Sequence, residues 1–147
     1  MSGSVLRLVL IAQVIGSVGM FGVIWTIQIV HYPLMRMIPP AAFARYEAEH
    51  QRRITRIVGP LMLLEGLCVL AVFFLRPSCI SVTLALTGGL AEAVAIGVTA
   101  FVSAPMHGRM AASGDPALLD RLIATNWVRT AAWSARAALA IAMFAMC

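Results

Sequence analysis

An all-α integral membrane fold is what this sequence predicts: a four-helix up-down bundle with amphipathic helical extensions on the cytoplasmic side. Three observations predict it. Of 147 residues 61% are hydrophobic and only 12% charged, where a soluble domain carries about one quarter charged residues. The mean hydropathy is +0.92, so the chain cannot wrap itself in a polar shell and lipid must be its solvent. Apolar runs of about 20 residues, enough to cross a bilayer, fall at roughly 5–30, 57–75, 80–102 and 127–146. Together they make one transmembrane domain, 1–147.

The arginines orient it. The net charge is +5, and no basic residue is a lysine. Four spans put both termini on one side, which receives Arg7 and Arg76. The other side receives Arg36, Arg45, Arg52, Arg53, Arg56, Arg109 and Arg121. Positively charged loops stay inside, so the arginine-rich side is expected to be cytoplasmic, both termini outside and the location the inner cell membrane. Topology thus accounts for a pI of about 10.1, and no nucleic-acid partner is expected.

Taking the elements in order, the first span is apolar from Val5 and lacks a small-residue cleavage site, so it reads as a retained helix. Gly16, Gly19 and Gly22 suit it to close packing. Pro39-Pro40 can start the second helix, and Gly59-Pro60 is expected to kink it at the membrane. Arg76 to Cys79 allows only a tight connection, making spans two and three antiparallel neighbours. Asp115 suits an N-cap with Pro116 first in the helix. The second and fourth helices should project beyond the bilayer on the arginine side. "HYPLMRM" after span one and "PMHGRM" after span three echo one another; an old duplication and chance are both open. Cys79 and Cys147 share a side, as a disulfide or as two thiols. Cys68 reads as a core residue, and there is no CxxC.

Polar residues in a membrane helix turn away from lipid. Positions 18 apart align on a helix at about 100° per residue. Gln13 and His31 align in span one, with Ser17 and Gln28 close by. Glu47 and Glu65 align in the second helix, where His50 shares a face with Phe43, Ile54, Ile57 and Leu61. Glu92, Thr99 and Ser103 stripe the third; Asn126, Arg129, Trp133 and Arg136 stripe the fourth. At 1.5 Å per residue, Glu65, Glu92 and Arg136 lie roughly 12, 16 and 14 Å deep, close to one layer. One carboxylate can pair with Arg136; the other is expected to hold its proton. The layer is either a polar pin fixing helix register or a place where protons or substrate are handled.

His31, His50 and His107 gather on the arginine side. With Glu47, which forms a Glu-x-x-His pair with His50, they could bind a transition metal or move protons. Three separate interfacial histidines, with no cofactor at all, is the plainer reading. A di-iron centre is not supported, since that needs a second such pair and two further Glu at the same level. Trp127 reads as an interface anchor, Trp25 and Trp133 as core, and Met35, Met37, Met106 and Met110 as adaptable packing. Arg52, Arg53 and Arg56 read as a contact to anionic lipid.

A Pro-x-His element after span three, a short acidic helix, then "NWVRT" opening span four, with "IVHYP" ending span one, resembles the anthrone-oxygenase-like family of small four-helix membrane proteins. The resemblance covers most of the chain, and many members have no known function. It implies oxidation of polycyclic anthrones by dioxygen without a conventional cofactor. Asn126 and Arg129 match the family's Asn-x-x-Arg element; His107 stands where Asn is expected. The resulting expectation is an oxidoreductase, oxygenase-like, acting on a lipophilic or aromatic small molecule in a polar pocket open to the cytoplasm. Glu65 or Glu92 would move a proton, and Arg136, Arg129 and Asn126 would meet developing negative charge. The alternative is a non-catalytic subunit of a larger membrane complex or homo-oligomer; a small transporter is the third reading.

Overall fold

A computed structural model describes residues 3–75 and 77–147; the expectation placed on Arg76 lies outside them. The described residues are helical with short connections. Helix α1 (Gly3–Thr26) passes through a π-helical turn, Ile27–His31, into the short α2 (Tyr32–Met35). Helix α3 (Pro40–Leu75) follows as one element, its first residue the predicted proline, running unbroken through Pro60. Helix α4 (Val82–Val98) starts on Ser81, whose Oγ accepts the Leu84 N–H at 3.2 Å. A second π-helical turn, Thr99–Ser103, leads into α5 (Ala104–Ser113), and α6 (Ala117–Met146) closes the chain.

Both π-helical turns have the same cause. Proline lacks an N–H and its ring crowds the carbonyl four residues back. Pro33 and Pro105 each stand two residues beyond a five-residue π turn. There the backbone widens to i→i+5 bonds, Tyr32 N–H to Ile27 O and Ala104 N–H to Thr99 O, and the helix continues past the proline. The two echoing segments therefore share a local structure as well as letters. Between α5 and α6, Gly114 takes φ 67°, a left-handed conformation glycine adopts without strain. Its N–H bonds Met110 O at 2.9 Å. Asp115 Oδ1 caps α6 by accepting the Ala117 N–H at 2.9 Å; the helix starts one residue later than expected, with Pro116 just outside.

Helix α1 packs against α3 and α6, and α4 packs against the same two. Three apolar layers alternate with polar ones along the interior. One holds Tyr32, Phe43, Met110 and Leu122, the next Met20, Ile24 and Trp133, the last Leu10, Val72, Ile80 and Met143. Cys79 and Cys147 are joined as a disulfide, Cα atoms 5.4 Å apart across a separation of 68 residues. This decides between the two states left open and ties the end of α6 to the α3–α4 turn. Cys68 is buried and free.

Three helical segments are long and apolar enough to cross a membrane: Gly3–Met35, Pro40–Leu75 and Val82–Ser113. The fourth predicted span is not among them. It is realised as most of α6, but Arg129 and Arg136 lie within it, and both are buried against the other helices. Trp133 is core as expected. Trp25 is not: it is 37% exposed, its ring edge-on to Trp127 at 5.8 Å, its Nε1 donating to Ser134 Oγ at 3.0 Å. Large apolar side chains such as Phe74 and Phe101 also cover the outside, while Glu47, Glu65 and Glu92 are buried.

Candidate functional site: a histidine stack beside a lateral groove

Two polar clusters occupy the interior. The deeper one gathers Ser17 from α1, Glu65 from α3, Glu92 from α4 and Arg136 from α6. Glu65 and Arg136 are both 0% exposed. Arg136 Nε donates to Glu65 Oε2 at 2.8 Å and lies 3.7 Å from Glu92 Oε2. Ser17 Oγ donates to the same Glu65 oxygen at 2.5 Å. Two glycines make the room. A Cβ on Gly16 would stand 2.9 Å from Glu65, and one on Gly88 would stand 3.0 Å from Arg136 Nη1. The sequence-predicted layer is thus assembled, from all four long helices. Neither Glu92 oxygen has a hydrogen-bond partner.

The second cluster lies toward the arginine-rich end, beyond the Met20–Trp133 layer. Asn126 Nδ2 donates to Gln28 Oε1 at 2.7 Å, and Arg129 Nη1 donates to Asn126 Oδ1 at 2.9 Å. The Arg129 guanidinium also bears on the Tyr32 phenol. Past Tyr32 come the histidines. Their rings form a row: His31 to His50 with centroids 4.4 Å apart and planes within 25°, then His50 to His107 at 5.3 Å. His107 is held from both sides, its Nδ1 to Glu47 Oε1 at 2.5 Å and its Nε2 to the Tyr32 hydroxyl at 2.9 Å. Gln51 Nε2 donates to the His107 carbonyl at 3.0 Å, fixing α5 against α3.

One expectation needs correction here. Glu47 pairs with His107 across elements, not with His50 on its own helix. The four residues expected as a metal site, His31, His50, His107 and Glu47, do come together, with both His107 nitrogens engaged by Glu47 and Tyr32. Among the described residues no group of three or more His, Cys, Asp or Glu is arranged to hold a metal ion.

A groove of about 850 Å³ runs between α1 and α3, open on its outer side. His31, His50 and Tyr46 border it at one end, with Ile54, Ile57 and the Gly19–Gly22 face of α1 beyond. Glu65, Glu92 and Arg136 do not border it. Of the α3 face expected to point inward with His50, Phe43 is core and Leu61 packs against the core, whereas Ile54 and Ile57 line the groove, Ile57 being 52% exposed. Tyr32 and Gln28 were the main omissions from the predicted site residues. Tyr32 carries a signal in its place between His31 and Pro33, but nothing in the linear pattern names its partner.

Compared with protein-family models, with curated proteins and with solved structures, the chain matches none of them.

Proposed function

We propose that the chain is a four-helix, up-and-down integral membrane protein of the inner cell membrane, and an oxygenase-like oxidoreductase acting on a lipophilic or aromatic small molecule. The observation that carries the reading is the groove whose polar end is a row of histidines backed by a buried carboxylate. A molecule dissolved in the bilayer enters sideways, between α1 and α3, and meets His31 and His50. A histidine there takes a proton from a weakly acidic C–H or O–H. The Glu47 carboxylate behind the row stabilises the positive charge it acquires. At a C–H carbon the anion adds dioxygen, the histidine returns its proton to the peroxide, and loss of water leaves a carbonyl; at a hydroquinone, two electrons and two protons pass to dioxygen, giving quinone and hydrogen peroxide. The buried Glu65–Arg136 layer fits a register pin, because it borders no part of the groove. The resemblance of "NWVRT" and "IVHYP" to the anthrone-oxygenase-like family points the same way, and Asn126 and Arg129 are seated beside the Tyr32–His107 pair.

Purified chain in lipid vesicles, supplied with anthrone or a lipophilic phenol, is expected to consume dioxygen at a rate abolished by His50→Ala. An absence of uptake across such substrates, with further chains co-purifying in stoichiometric amount, would favour the non-catalytic subunit instead.

Orientation has two independent supports. Basic loops favour the cytoplasmic side, and disulfides persist outside the reducing cytosol. Arg36, Arg45, Arg52 and Arg53 stand at one end of the molecule and the Cys79–Cys147 bond at the other, and both support a reading with the termini outside. In intact spheroplasts treated with a reductant, a membrane-impermeant maleimide should label Cys147; protection until lysis would reverse the topology.

A further inference from the structure

The groove between α1 and α3 has a polar end and an apolar body, and each says something about its occupant. At the polar end the groove lining carries one carboxylate and one guanidinium, Glu49 and Arg53, paired with each other at 2.5 Å, while Arg52, which shares Glu49 at 2.8 Å, lies outside the lining. His31 Nε2, in contrast, is buried without a hydrogen-bond partner, and such atoms rarely go unsatisfied. The His31 ring lies nearly parallel to Tyr46 (23°, 6.2 Å) and to His50 (25°, 4.4 Å), so aromatic edges wall this end of the groove, and a flat ring packs against them better than a branched head. Along the body, the α1 backbone is laid bare. A Cβ at Gly22 would meet nothing within 4 Å, and one at Gly19 would meet only the Leu61 side chain, at 3.2 Å.

We infer that this groove binds a neutral single-tailed amphiphile: a hydroxylated aromatic ring bearing a long alkyl or isoprenoid chain, its hydroxyl at the His31–His50 end, where it donates to His31 Nε2 once that buried nitrogen turns out toward the groove, and its tail along the Gly19–Gly22 face. The inference rests on the proposed function and narrows its substrate class from lipophilic molecules in general to tailed phenols. Gly22 is then the residue that keeps the tail channel open.

Calorimetric titration of the purified full-length chain in micelles tests this with three probes: decylhydroquinone, hydroquinone without a tail, and palmitate. Decylhydroquinone should bind saturably, and the other two at least about tenfold more weakly. Gly22→Phe fills open space rather than occupied space, so it should keep the circular-dichroism spectrum while weakening decylhydroquinone by about tenfold or more. Ile57→Trp, which fills the groove from α3, should do the same and reports independently if the glycine variant misfolds. Equal binding of the tail-less ring, tighter binding of palmitate, or indifference to both folded variants would overturn the inference. Such a result with His50-dependent oxygen uptake intact sinks the tailed phenol alone. Binding as expected with no such uptake sinks the catalytic reading alone.

Discussion

Arg136→Met should destabilise the fold by about 3–5 kcal/mol, the range for removing one partner of a buried ion pair. Thermal or detergent-induced unfolding in micelles, followed by circular dichroism, reads it directly. The size reflects the groups left behind. Glu65 is fully buried and would keep only the Ser17 hydroxyl. Glu92 lies 3% exposed, with both oxygens unpartnered even when the arginine is present. Neither carboxylate has water to turn to. The triple variant Glu65→Gln, Glu92→Gln, Arg136→Met removes the charges together and should recover most of the loss, because a buried ion pair contributes little net stability over neutral groups of similar size. A single variant as stable as the wild type would mean the layer does not pin the helices. A stable triple variant that no longer consumes dioxygen would bring the layer into the chemistry.

That layer was legible in the sequence because its helices are apolar almost throughout. On a helix apolar enough to cross a membrane a charged side chain is expected to face the interior, so helical spacing alone orients it. Gln13, Ser17, Glu65, Glu92, Asn126, Arg129 and Arg136 are all buried as their spacing implies. His31 breaks the pattern for a local reason. The π turn at Ile27–His31 inserts an extra residue, which rotates the C-terminal part of the helix by about 100°. His31 therefore leaves the line shared with Gln13 and faces the α3 groove. Contacts between elements were not legible either. The Glu47–His107 bond spans 60 residues, and it depends on the height and rotation at which α5 meets α3, which no periodicity encodes. The groove was hidden for the opposite reason. It is an absence of side chains along Gly19 and Gly22, and glycine at such spacing reads first as a close helix contact. The same residues do serve that purpose at Gly16 and, more loosely, at Gly19, where Glu65 and Leu61 approach.

Glu47→Gln should lower kcat for dioxygen consumption by roughly 10²–10⁴-fold while leaving KM nearly unchanged. Glu47 is 0% exposed and does not border the groove, so the substitution removes no substrate contact. What it removes is the negative charge against His107 Nδ1. With that charge present, a proton arriving on the histidine row is stabilised by an adjacent anion in a medium that screens poorly. With glutamine, the imidazolium formed on His31 or His50 loses the negative charge behind the row, and the barrier to deprotonating the substrate rises without any change in the affinity for it. Glutamine keeps the size of the side chain and an acceptor oxygen, so the His107 orientation and the Tyr32 hydrogen bond should survive, and the unfolding midpoint should move far less than in Arg136→Met. Steady-state oxygen uptake against substrate concentration separates the cases. A fall in kcat alone supports a relay through His107. A matching rise in KM would make Glu47 part of the binding surface, and an unchanged kcat would remove the histidine row from the chemistry.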